Sequence, residues 1–194
     1  CGMSAIISDC GAYRYTLERD VAMVGPLFLF IGVNPSTADA TADDATVRKW
    51  IGFVKRWGGR GFLVGNAFAY RATDVRELAT AKDPIGLHND WHIMQLAVRA
   101  DVIVPCWGNT GKVPPRLRGR FEFLAGMLTG ADKPLHCFGR TQGGDPLHPL
   151  MLGYSTPLVE FATPKGGVLD APLSRHGWRK PSHQFTRRLK CCLT

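Results

Sequence analysis

Leu27-Phe28-Leu29-Phe30-Ile31 is an unbroken apolar run, and Gly32-Val33-Asn34-Pro35-Ser36 closes it. A run of this length without alternation predicts a strand buried on both faces, over 27–32. Asn34-Pro35 predicts a sharp turn at its carboxyl end. From Thr46 to Trp57, Val47, Trp50, Ile51 and Val54 recur at helical steps while Arg48, Lys49 and Lys55 fall between them. That pattern predicts an amphipathic helix, stopped by Gly58-Gly59. Gly61–Gly65 predicts a second buried strand leading into Asn66-Ala67-Phe68-Ala69-Tyr70-Arg71. A short helix is expected after Thr73-Asp74, and a longer one over Asn89–Arg99. A third strand covers 101–106 and ends in Trp107-Gly108. A helix over Phe121–Leu128 and a fourth strand over 135–139 follow. Upstream, Tyr13, Tyr15 and Leu17 alternate with polar positions and predict an extended arm or hairpin within 12–24.

Strands alternating with helices imply parallel strands joined by right-handed crossovers, with helices on both faces. The expected fold is α/β, a three-layer α/β/α sandwich around a short parallel sheet of about four strands. The alternation stops near residue 155. The expected organisation is therefore an α/β domain over 1–155 and a loosely packed basic appendage over 156–194. The appendage carries Arg175, Arg179, Lys180, Arg187, Arg188 and Lys190.

The bulk numbers narrow the class. The 194 residues are 45% hydrophobic and 21% charged, which suits one compact domain and excludes a disordered or fibrous chain. No apolar run reaches the roughly 18 residues of a membrane span. The first residues lack the basic and apolar segments of a signal peptide. A cytoplasmic, monomeric protein is expected, with no membrane partner. The formal net charge of +8 puts polyanions first among partners: single- or double-stranded DNA, or a nucleotide. The six cysteines form no C-x-x-C pair or zinc-type cluster, so neither metal nor cofactor is expected. Vicinal Cys191-Cys192 suits a frayed tail better than a soft-metal site.

Each predicted strand ends in a distinctive polar segment. These are Gly32-Val33-Asn34-Pro35-Ser36, Asn66 to Arg71, Trp107-Gly108-Asn109, and Gly139-Arg140-Thr141 running on to His148-Pro149-Leu150. In a parallel sheet these segments share one rim, where open α/β folds place their ligands. On these residues the chain resembles the DUF1643 family, over roughly 12–153. In motif order it is also similar to the uracil-DNA glycosylase superfamily. That likeness implies that the Asn34-Pro35 loop positions an attacking water, that Asn66 reads an extruded base, and that His148 contacts the base oxygen. Ser36 in place of the usual Gly, an acid-rich stretch up to Asp44, and Leu150 directly after His148-Pro149 depart from the glycosylase pattern.

Cleaving a base from its sugar creates a cationic sugar and an anionic base. Asn34 can orient water, and Asp39, Asp43 or Asp44 can act as general base, although Asp43 and Asp44 equally suit helix capping. His148 can donate to the leaving base, and the amide of Asn66 can both donate to and accept from a pyrimidine edge. Phe68, Tyr70 and Trp107 are candidates to stack on the base, or core residues. Ser36, Arg71, Lys112, Arg116, Arg118 and Arg140 are candidate contacts to a nucleic-acid backbone. Two other classes compete: a DNA- or base-binding module without turnover, and a nucleotide- or base-modifying transferase, whose acid-rich loop would hold Mg²⁺.

Overall fold

The computed structural model describes residues 2–36 and 38–161, all within one compact unit. Strand β3 (Leu27–Gly32) is buried at every position. Because strand side chains alternate, its residues feed two cores. Leu27, Leu29 and Ile31 enter one, and Phe28 and Phe30 the other. Strands β4 (Gly61–Asn66) and β5 (Val102–Pro105) flank β3 in parallel, with Phe30 opposite Val64 on one side and Val104 on the other.

The sheet is mixed. Strand β2 (Arg14–Asp20) lies antiparallel to β4, and β1 (Met3–Ile7) antiparallel to β2, giving the five-stranded order β1-β2-β4-β3-β5. The expected all-parallel sheet is thus corrected to three parallel strands and an antiparallel hairpin. The hairpin needs only a tight turn, at Gly11 with φ 73°, whereas a parallel partner would need a long crossover.

The fourth expected strand shrinks to β6 (His136–Cys137), paired antiparallel with β7 (Val159–Glu160). One parallel bridge, Ile103 to Leu135, ties it to β5. Gly139, at φ 106°, turns the chain away soon afterwards. With β7 and the buried Phe161, packing continues past residue 155. The tail arginines and lysines, Cys191-Cys192 and Thr37 lie outside the described residues.

Helix α1 (Ala45–Arg56) starts where the Asp44 carboxylate accepts the Val47 N–H at 2.8 Å. It buries Val47, Trp50, Phe53 and Val54 on the Phe28/Phe30 face, and Gly58, at φ 68°, follows its end. Helices α2 (Asn89–Arg99) and α3 (Gly119–Thr129) cover the opposite face with Ile93, Leu96, Leu124 and Leu128. The short helix expected after Thr73-Asp74 is a 3₁₀ turn, Val75–Ala79, capped reciprocally by Asp74 and Glu77. Cys106 and Cys137 are buried free thiols, and burial pushes the Cys106 thiol up to about 12. Among the described residues, no helix is long and apolar enough to cross a membrane.

This topology positions a site. The chain leaves β3 through α1 to reach β4 on one side, then through α2 to reach β5 on the other. The strand order therefore reverses between β3 and β5, the kind of position outside whose carboxyl ends open α/β folds place their ligands.

Candidate functional site

Asn66 is the last residue of β4 and only 3% exposed. It continues the Phe62/Val64 side of the strand, which faces α1. Its amide lies over Gly32, where a Cβ would stand 2.8 Å from Asn66 Oδ1, so only glycine leaves the amide its room. Its Nδ2 has no hydrogen-bond partner among the described residues. A buried amide donor without a partner costs about 1–3 kcal/mol, a penalty that a ligand acceptor would remove.

The surrounding backbone is held firmly. Asn89 Nδ2 donates to the carbonyls of Asn66 (2.9 Å) and Ala67 (3.2 Å), and Arg120 Nε donates to Ala67 O (2.9 Å). Arg120 is in turn paired with Asp90. Sequence reasoning did not find Asn89 or Arg120, because α2 and α3 deliver them to β4 only after the chain has folded.

Asn34 joins two rim loops. Its Nδ2 donates to Ala72 O at 2.7 Å and to Pro35 O at 3.0 Å, and Ala72 N–H donates to Pro35 O at 3.0 Å. The amide nitrogen is thus occupied in structure, which leaves Oδ1 as the atom able to meet a water.

The other two rim loops also meet. Gly108, at φ 76°, lies against His148: a Cβ there would stand 3.0 Å from His148 Cβ. Gly108 N–H donates to Pro146 O. His148 Nδ1 accepts from the Leu150 N–H at 3.3 Å, so in the neutral ring the proton sits on Nε2. Burial depresses the His148 pKa, opposed by the charge of Asp44 and assisted by that of Lys112. A neutral imidazole with a donor Nε2 results near pH 7.

The acids divide by environment. Asp39 Oδ1 accepts from Thr41 N–H, Thr41 Oγ1 and Ala42 N–H, bonds that hold its carboxyl below the usual range. Asp43 accepts from Arg19 Nε at 2.7 Å, and that Arg19 side chain is only 2% exposed. Asp44 caps α1 through Oδ1 while its charge acts on both His148 and Arg14. Asp44 is therefore the acid the fold brings to the rim histidine.

Arg14 and Arg19, on β2, went unseen in the sequence. Arg14 is 3% exposed, donates from Nη1 to Ala38 O at 2.5 Å, and has no partner at Nε among the described residues. Burial, with Arg71 and Arg19 adding repulsion, lowers its pKa to about 10, although Asp44 and Asp39 oppose the shift.

A cleft of about 410 Å³ opens between the loops after β3 and β4 and the Gly11-Ala12 turn, lined by Ser36, Tyr70, Arg71, Ala72, Thr73 and Glu77; Asn66, His148 and Asp44 are not among its lining residues. Its volume is in the range of small-molecule sites. Ser36, Tyr70 and Arg71 thus share one wall system. Phe68 and Trp107 do not join them: Phe68 is fully buried and Trp107 5% exposed, and both rings pack on Phe121 in the α2/α3 core. Both rings thus contribute large apolar surface to that core. Arg118 braces its own loop at Val113 O and Gly111 O, Arg116 reaches Ala79 O, and Arg140 holds Gly144 O. Lys112 is exposed and acts on His148. Among the described residues, no group of three or more His, Cys, Asp or Glu is disposed to hold a metal ion.

Fold and site together define a mixed α/β protein with a buried polar centre at the carboxyl edge of its parallel strands. The chain belongs to the family described as "Protein of unknown function (DUF1643)", whose model matches residues 14–150. The matched span begins at Arg14 and takes in Asn34, Asn66 and His148. No curated protein and no solved structure matches the chain.

Proposed function

We propose that the protein recognises a nucleobase and hydrolyses the N-glycosidic bond holding a uracil-like or modified base in DNA, on a three-layer, uracil-DNA glycosylase-like fold. The observation that carries this reading is Asn66: an almost wholly buried carboxamide on a backbone held by Asn89, with a donor that no described residue uses. Such a group matches an extruded pyrimidine edge, which offers an acceptor beside a donor. His148 supports it as a neutral donor toward the base oxygen, where negative charge grows as the bond breaks.

In the reaction, the C1′–N bond breaks with its electron pair passing to the base. The oxygen of water bonds to C1′, and the water's proton passes to Asp44 while the base is protonated from solvent. Asn34 Oδ1 orients the water. Asp43 is assigned to Arg19, and Asp39 to its own turn.

A base-binding module without turnover is the second reading. Its support is that each of the three acids already accepts hydrogen bonds from the protein. The test is base release from labelled single- and double-stranded oligonucleotides carrying uracil or modified pyrimidines. Release abolished by His148→Ala and Asn66→Ala is expected. Tight binding that needs Asn66, with no release from any substrate, would favour the module. Neither release nor base-dependent binding would remove both.

A further inference from the structure

The cleft between the loops after β3 and β4 carries two opposite charges, Arg71 and Glu77, on its wall. The ion pairs formed among the described residues are Arg19–Asp43, Arg76–Asp74, Arg99–Glu18 and Arg120–Asp90, so Arg71 and Glu77 pair neither with each other nor with another charge there. Arg76, beside Glu77 in sequence, is committed to Asp74 through Nε and Nη2. Glu77 Oε1 accepts the Asp74 N–H at 2.9 Å, and Oε2 has no partner among the described residues. Arg71 makes one long contact, Nη1 to Gly11 O at 3.3 Å, and its Nε and Nη2 have no partner among the described residues. Tyr70, in edge-to-face contact with Tyr13 at 5.8 Å, adds an aromatic ring to the wall, and Ser36 and Thr73 add hydroxyls.

A wall with both signs selects against simple ions, since Glu77 opposes a phosphate there and Arg71 opposes an amine. It suits an uncharged ligand with acceptors on one edge and donors on the next, each edge meeting a charged partner through charge-assisted hydrogen bonds. A nucleobase is such a ligand, and its flat ring can stack on a tyrosine. Among the bases, guanine offers each charged group a two-pronged match. Its O6 and N7 accept from a guanidinium fork, and its N1–H and N2–H donate to a carboxylate. We propose that this cleft is a guanine-binding subsite, with Arg71 on the O6/N7 edge, Glu77 on the N1/N2 edge and Tyr70 against the ring. The volume of about 410 Å³ accommodates one base with its sugar. The guanine comes either from a free nucleoside or from a nucleotide within a strand. The subsite stands apart from the proposed hydrolysis, because Asn66, His148 and Asp44 do not line the cleft.

The test is equilibrium dialysis of the full chain against two series of labelled probes. One series is guanosine, inosine, adenosine, cytidine and uridine. The other is a short oligothymidylate carrying one central guanine or one central adenine. A preference for guanine of about tenfold or more is expected in at least one series. A preference confined to the nucleosides identifies a free ligand, and one seen in the oligonucleotides identifies a strand. Glu77→Gln keeps a residue that serves the capping box, so its melting temperature should match wild type. The guanine preference should nevertheless fall about tenfold in Glu77→Gln and in Arg71→Gln. Inosine, which lacks the N2 amine, should bind wild type more weakly than guanosine and lose that disadvantage in Glu77→Gln.

No guanine preference in either series, or a preference that survives both substitutions, overturns the proposal. If Glu77→Gln fails to fold, Arg71→Gln, at a half-exposed position, still decides. Asn66→Ala should keep the guanine preference of wild type, so failure of base hydrolysis and failure of this subsite are read separately.

Discussion

At the scale of single residues, the proposed function rests on Asn66 and His148. Asn66→Ala removes a donor that has no partner among the described residues, so stability should stay within about 1 kcal/mol of wild type. Base affinity should fall tenfold or more, as measured by titration with uracil-containing oligonucleotide. His148 gives a pH signature. Its folded pKa lies below the ordinary value of 6.5, so the unfolded chain binds the proton more readily. The contribution of neutral His148 to stability is complete above about 6.5 and lost as pH falls through the depressed folded value. Thermal melts should show an acid-side decline from this source that His148→Gln reduces. Both residues were legible in the sequence because each follows a predicted strand on the rim. Arg14 and Arg19 were not: an arginine in an alternating strand reads as solvent-facing. Their burial depends on the 38–43 segment folding over β2, which no local pattern announces.

Elements convert those residues into a geometry. Asp44 ends the loop after β3 and starts α1, and two substitutions separate its roles. Asp44→Asn keeps a good cap and should leave the melting temperature nearly unchanged while base release drops. Asp44→Ala should lose release and also about 0.5–2 kcal/mol of stability. Gly108 is the seat for His148. Gly108→Ala combines a positive φ with a Cβ only 3.0 Å from His148 Cβ. It should destabilise by about 1 kcal/mol or more and impair base release beyond what the lost stability explains, seen by assay well below the melting temperature. Strand β3, α1 and α2 were readable because their apolar periods are long and unambiguous. Strand β1 was not: four of its five residues are polar, small or exposed at an edge, and pairing with β2 alone makes it a strand. Strand β6 is shorter than the apolar run 135–139 implies, because Gly139 takes a backbone turn that the run does not show.

At the scale of the molecule, the aromatic core facing α1 ties the sheet together. Phe30 lies 5.1 Å from Trp50, 5.6 Å from Phe62 and 6.4 Å from Phe138, thus linking β3, α1, β4 and the chain beyond β6. Phe30→Ala should cost about 3–5 kcal/mol, read as a lower urea midpoint in a single cooperative transition. The α/β class was legible from alternating strand and helix patterns. The mixed sheet was not, since strand direction is set by which neighbour a strand finds and not by its own residues. The buried thiol at the end of β5 has one more consequence. With its thiolate suppressed and Trp107-Gly108 directly following, Cys106 is closed to alkylating reagents while the rim is intact. Its modification, followed peptide by peptide in a mass spectrometer, is a clock for opening of the carboxyl edge, and a molecule seated at that edge should slow the clock.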